Sequence, residues 1–220
     1  MRLKNGDVLF AWPLALHVLT AGYFYSDGSR HEAIDLRTNQ GGSVVKPVYA
    51  AEDGTVDWTQ EWDGHTKTGM QSYGTALLLR HQEYGGVALQ TRYAHLSRLC
   101  VAKGTAVKEG QLIGYTGETG NVSGAHLHFE VLLGGTRRNP LVWLDDDFTT
   151  ANSGVYTYQP GECAVVRPAE ELPDGDARLQ TITIGPVSQG DADAILALCK
   201  ERELDKLGLY RSAWADETAG

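Results

Sequence analysis

The first 145 residues are built from short apolar runs separated by Gly, Asp and Asn, and the runs are too short for helices. The clearest lie at 44–50, 54–58, 75–81, 88–95, 112–116 and 126–133. This spacing predicts a mainly β domain, an antiparallel sandwich or partly open barrel rather than βαβ units. No segment before Leu144 carries a helical period. Residues 101–110 read as a turn-rich connection punctuated by Gly104 and Gly110, and residues 60–72 as a polar loop long enough to flank a substrate groove. In the run 126–133, alternation puts His126, His128 and Glu130 on one face and Leu127 and Phe129 on the other. A helix would turn the two imidazoles about 200° apart, so the pair makes sense only on a strand.

After Leu144 the pattern changes. Three aspartates at 145–147 open a stretch rich in Thr, Ser, Asn and Gly, which reads as a linker. Residues 181–187 then alternate like a strand, 190–207 space Ala192, Ile195, Leu196, Leu198 and Cys199 as a helix does, and 209–214 read as a returning strand. The expected organisation is a domain over 1–145, a linker over 146–178 and a small α+β (β-α-β) appendage over 179–220. A length of 220 residues and an apolar content of 42% suit one sizeable core with a small addition.

Charge follows the same division. The net charge is −9, with 13 basic against 14 acidic residues over 1–145 and 6 against 14 over 146–220. So acidic a tail does not hold nucleic acid, anionic wall polymers or a lipid surface by charge, and no nucleic-acid partner is expected. Cys100, Cys163 and Cys199 form no Cys-x-x-Cys pair and no disulfide framework. No run approaches 18 apolar residues, so no membrane span is expected. The apolar stretch 8–19 contains Pro13 and His17 and is not read as a signal peptide.

Three short segments, 30–35, 93–96 and 126–130, hold four of the seven histidines together with Asp35. A catalytic zinc takes three ligands of His, Asp or Glu type and leaves one position open. This set can supply three ligands and still leave two histidines for proton transfer. Each piece alone is commonplace; the order and context of all three carry the signal. His31 and Asp35 are four apart, as on a helix face, but the Gly- and Asn-containing flanks indicate an irregular or extended segment. Glu130 and Glu32 are either carboxylates that orient ligating imidazoles or solvated surface acids. Tyr23, Tyr25 and Tyr73 are candidate donors to an oxyanion. His17, His65 and His81 read as structural or exposed.

The chain resembles the lysostaphin/LytM-type zinc endopeptidases, which cut peptide cross-bridges in bacterial peptidoglycan. The resemblance covers about residues 10–144 and rests on ordered matches: Ala11-Trp12-Pro13-Leu14, His31 to Asp35, Pro47-Val48-Tyr49-Ala50, Tyr93-Ala94-His95-Leu96, the glycines of 114–120, His126-Leu127-His128-Phe129-Glu130, and Asn139-Pro140. It implies that His31, Asp35 and His128 bind Zn2+, and that His95 and His126 stand beside the metal as catalytic residues. It implies peptidoglycan peptide stems as substrate and action outside the cytoplasm, whether secreted, periplasmic or delivered by phage. With residues 8–19 not expected to be a leader, a phage or prophage lysin is the favoured expectation. Departures are Ala33, where such enzymes often carry glycine, and Ala125, where they often carry proline. Residues 179–214 resemble, more weakly, half of a SPOR-type glycan-binding module. The competing readings are a catalytically silent wall-binding scaffold, against which the intact ligand set counts, and a peptidase of soluble peptides.

Overall fold

The computed structural model describes residues 8–157, apart from 26, 40–42 and 146. They belong to a compact unit spanning Met1–Gln159. The β-α-β appendage expected over 179–220, and the linker from residue 158 onward, lie outside the described residues.

Eleven strands are present among the described residues: β1 (Val18–Ala21), β2 (Ile34–Arg37), β3 (Pro47–Tyr49), β4 (Gly54–Gln60), β5 (Thr75–Arg80), β6 (Leu89–Leu99), β7 (Ala106–Val107), β8 (Leu112–Thr116), β9 (His126–Leu133), β10 (Thr136–Arg138) and β11 (Thr149–Thr150). The only helical pieces among these residues are 3-10 turns at Gly69–Tyr73 and Pro140–Val142. No helix among them is long and apolar enough to cross a membrane. The fold is the mainly β, open-sheet architecture that the apolar runs predict.

The sheet runs β11-β1-β2-β9-β6-β5-β4-β7 and branches at β6, which adds β8 and through it β3, and at β9, which adds β10. All pairings are antiparallel except β1 with β11. One edge of β6 pairs with β5; the other pairs first with β9 through Leu89–Ala94 and then with β8 through Leu96–Leu99. A strand that serves two neighbours along one edge has to bend, and register irregularities at 94–95 and 96–98 allow this.

The core is the face that alternation assigns to it. Leu127, Phe129 and Val131 of β9, Ile34 and Leu36 of β2, Leu77 and Leu79 of β5, and Tyr93 of β6 are fully buried. Tyr93 is also satisfied as a polar group, because its hydroxyl accepts the Ala51 N–H at 2.8 Å. Phe129 lies against Tyr93, with ring centroids 5.2 Å apart. Phe129→Ala is expected to cost about 3–5 kcal/mol of unfolding free energy, since it opens a large cavity directly beneath the site. Urea unfolding of the metal-free protein measures it; a loss under about 1 kcal/mol would contradict this packing.

Residues 147–157 stay with the sheet rather than leaving it at 145. Thr149 and Thr150 pair with Val18 and Leu19, and Tyr156 bridges Phe24. Both threonines are exposed, so this strand carries no apolar pattern for a sequence reading to find.

Candidate metal centre

Strand register builds the centre. Asp35 of β2 lies directly opposite His128 of β9, and Arg37 opposite His126. Directly opposed residues share a sheet face, so Asp35 and His128 meet: Asp35 Oδ1 is 3.0 Å from His128 Nδ1. His31 precedes β2 and brings its Nε2 to 3.4 Å from the same oxygen, while His126 Nε2 lies at 3.6 Å. The potential ligand atoms of His31, Asp35 and His128 all fall within 4.8 Å of one another, as do those of His95, His126 and His128.

His95 reaches this group by breaking the strand pattern. Tyr93 faces the core and Ala94 opposes His128, so strict alternation would turn His95 back toward the core. Instead Ala94 and His95 together oppose Ala76 alone, a β-bulge, and His95 has a left-handed backbone with φ 60°. Its ring then sits 4.8 Å from that of His126 and 5.5 Å from that of His128. Glu32, beside the first histidine, is the other non-glycine residue with positive φ among those described, at 63°. Such a conformation costs about 1–2 kcal/mol in an L-residue, and both instances occur at this site. Ala33 is fully buried and is not among the positive-φ residues, so its methyl group is accommodated without a left-handed backbone.

Backbone carbonyls fix the tautomers of three rings. A carbonyl only accepts, so His31 Nδ1 donates to Gly22 O (3.0 Å), His95 Nδ1 to Thr119 O (2.8 Å) and His126 Nδ1 to Gly124 O (2.8 Å). Each ring therefore keeps its Nε2 lone pair for the centre. Thr119 is itself held by its hydroxyl, which donates to Leu96 O at 2.8 Å and accepts from the Thr75 N–H at 2.9 Å. The Thr119 chain approaches Gly74 so closely that a Cβ there would overlap it, and Gly74 also has φ 64°.

His128 differs. Carboxylates flank both of its nitrogens: Asp35 at Nδ1 and Glu130 Oε1 at Nε2, 3.3 Å away. Glu130 is almost fully buried, and it receives Arg92 Nη1 at 2.7 Å and Tyr73 Oη at 2.9 Å. Burial opposes charge on His128, but the hydrogen bonds to Asp35 and Glu130 outweigh it and hold the pKa up to about 9. Burial also works against ionised Asp35 and Glu130, yet the histidines, joined for Glu130 by the arginines, pull both below the usual carboxylate range. Burial and the neighbouring His128 and His126 push His95 down to about 4, so it stays neutral.

In the metal-free protein this charge on His128 makes stability depend on pH. The raised His128 pKa stabilises the fold fully below its unfolded value near 6.5, and that contribution is lost as pH rises through about 9. A divalent cation taken up at Nδ1 has to displace that proton. Uptake at pH 7 is expected to release close to one proton per ion, falling toward none above pH 9, as read by calorimetry in buffers of different ionisation enthalpy. No dependence on buffer would contradict uptake at His128 Nδ1.

The His31 Nε2 lone pair, the Asp35 carboxylate and His128 Nδ1, once its proton is displaced, thus converge on one small space, with the second nitrogen of each ring already bonded. This donor set, two imidazoles and a carboxylate, fits a tetrahedral zinc with one position open. Residues 29–140, just over half of the chain, match the sequence profile of peptidase family M23. The chain belongs to peptidase family M23.

This M23 domain is 35% identical over 111 residues to the DD-carboxypeptidase/endopeptidase Mpg of Neisseria meningitidis, covering 50% of this chain and 22% of that protein. It is 38% identical over 97 residues to the peptidoglycan DD-endopeptidase ShyC of Vibrio cholerae, covering 44% and 20%. Among solved structures, the catalytic domain of lysostaphin from Staphylococcus simulans is 28% identical, with a TM-score of 0.44, covering 56% of this chain and 89% of that one. The M23 chain thus spans about a fifth of the length of these two curated relatives.

All five histidine and aspartate positions singled out in the sequence come together in the M23 domain. Glu130 lies inside the site, while Glu32 is partly exposed and paired with Arg137. Arg92, Arg137 and Thr119 had no signal in the sequence, because each acts through a pairing between distant strands or loops. His81 is buried, with Nδ1 donating to Asp53 O at 2.9 Å; His65 is exposed; His17 stacks on Trp12 at 4.6 Å. Of the tyrosines, Tyr23 donates to Arg137 O at 3.2 Å and Tyr73 to Glu130, while the exposed Tyr25 ring lies 4.9 Å from that of His31.

Proposed function

We propose that this chain is a zinc-dependent endopeptidase that hydrolyses peptide cross-links of bacterial peptidoglycan. The observation that carries the reading is the convergence of His31 Nε2, Asp35 Oδ1 and His128 Nδ1, with the Nε2 atoms of His95 and His126 beside them. Membership of a peptidase family and similarity to proteins named as peptidoglycan endopeptidases support it.

His31, Asp35 and His128 would hold the ion. Bound there, zinc supplies Lewis-acid polarisation of the scissile carbonyl and a nucleophile at neutral pH. The protein does the rest. His95 and His126, each fixed by a carbonyl at Nδ1, present Nε2 lone pairs to the same space. Between them they take a proton from the attacking water and return one to the leaving amine, which departs neutral. Glu130, clamped by Arg92, holds the His128 ring through Nε2 and keeps its Nδ1 turned inward. The exposed Tyr25, whose ring lies 4.9 Å from that of His31, is the tyrosine we assign as donor to the oxyanion, since the hydroxyls of Tyr23 and Tyr73 already donate within the protein.

Titration of chelator-stripped protein with zinc tests the reading. Release of free amines from cross-linked peptidoglycan should rise in proportion to the first equivalent of zinc and stop there. Activity that is independent of zinc would sink the metal assignment.

A further inference from the structure

The first and third ligands come from distant parts of the chain, and one side chain touches the supports of both. Arg137 of β10 places Nη1 2.9 Å from Glu32 Oε2, Nη2 2.6 Å from Tyr73 Oη and Nε 3.0 Å from Glu130 Oε1. Its own carbonyl accepts from Tyr23 Oη at 3.2 Å. Tyr23 O in turn accepts the backbone N–H groups of His31 at 2.9 Å and Glu32 at 3.2 Å. On the other side, Glu130 Oε1 lies 3.3 Å from His128 Nε2. A closed circuit therefore runs from Arg137 to both ligand segments. Glu32, with φ 63°, is the strained link in it, and such a backbone persists only where its neighbours over-determine it.

We propose that Arg137 is a positioning residue that locks the first and third ligands, His31 and His128, into one metal-binding geometry, an inference that rests on the zinc reading above. A guanidinium suits the task, because its planar fork donates to Glu32 and Tyr73 in two fixed directions while its charge lies beside Glu130, to which the Tyr73 hydroxyl donates in turn; a lysine ammonium is a single point charge on a flexible stem. Without Arg137, Glu130 keeps Arg92 but Glu32 loses its ion pair, so the loss falls mainly on the His31 side.

The test is zinc affinity of the full chain, by competition with a chromophoric chelator, with circular dichroism and metal-free thermal unfolding alongside. Arg137→Gln is expected to weaken zinc binding about 10- to 100-fold, the range for groups that orient metal ligands. Arg137→Lys should recover only part of this. Glu32→Gln should act in the same direction and add little to Arg137→Gln in the double variant. Wild-type affinity in folded Arg137→Gln, or a lowered metal-free midpoint with unchanged affinity, overturns the proposal. If Arg137→Gln does not fold, Glu32→Gln decides, and unchanged affinity there overturns it too. A wild-type chain that takes up no zinc removes the zinc reading and this inference together; one zinc in the wild type with unaffected variants removes this inference alone.

Discussion

Asp35→Ala and His128→Ala are each expected to abolish zinc retention and, with it, peptidoglycan cleavage. Groups that merely orient a ligand change affinity about 10- to 100-fold, so removal of a ligand should exceed 100-fold. The geometry makes Asp35 the more damaging loss. Its Oδ1 is the common neighbour of three imidazole nitrogens, at 3.0, 3.4 and 3.6 Å. Without it, His31 and His128 face each other with no carboxylate between them to offset a dication. His128→Ala also strands Glu130, which would remain buried beside Arg92 with its imidazole partner gone. Metal content after dialysis, by mass spectrometry, reads both variants. One equivalent of zinc retained in either would contradict the proposed ligand set.

His126→Ala is expected to separate binding from turnover. It should keep one equivalent of zinc at near wild-type affinity, because the ring lies beside the proposed ligands rather than among them. The rate of amine release should fall about 10²- to 10⁴-fold, the usual worth of a positioned acid–base group. His95→Ala should fall in the same range. Its backbone, held left-handed by the bulge, relaxes more readily once the Thr119 hydrogen bond is gone, so its substrate KM is also expected to rise. Steady-state kinetics on a defined cross-linked muropeptide, with zinc content measured in parallel, distinguishes these outcomes. Full activity in His126→Ala would remove it from the proton-transfer role.

The runs at 75–81, 112–116 and 126–133 were legible in the sequence because they combine β-branched or leucine-rich character with sharp turn residues. Alternation within 126–133 was enough to place His126 and His128 together and to point at Glu130. Three other features were not legible. β2 is four residues long and lies between strained or polar neighbours, so only its extended nature could be read. His95 is on the site face through a bulge, which alternation argues against. The Arg92 contact to Glu130 and the Arg137 contacts to Glu32 and Tyr73 join residues 38, 105 and 64 positions apart, which no local pattern encodes.

The most direct test of the central claim is mass spectrometry of fragments released from purified peptidoglycans by the zinc-loaded protein, with a chelator-treated control. The account predicts new amine ends at peptide cross-links, present with zinc and absent with chelator. Intact cross-links in every wall type despite one bound zinc would contradict it.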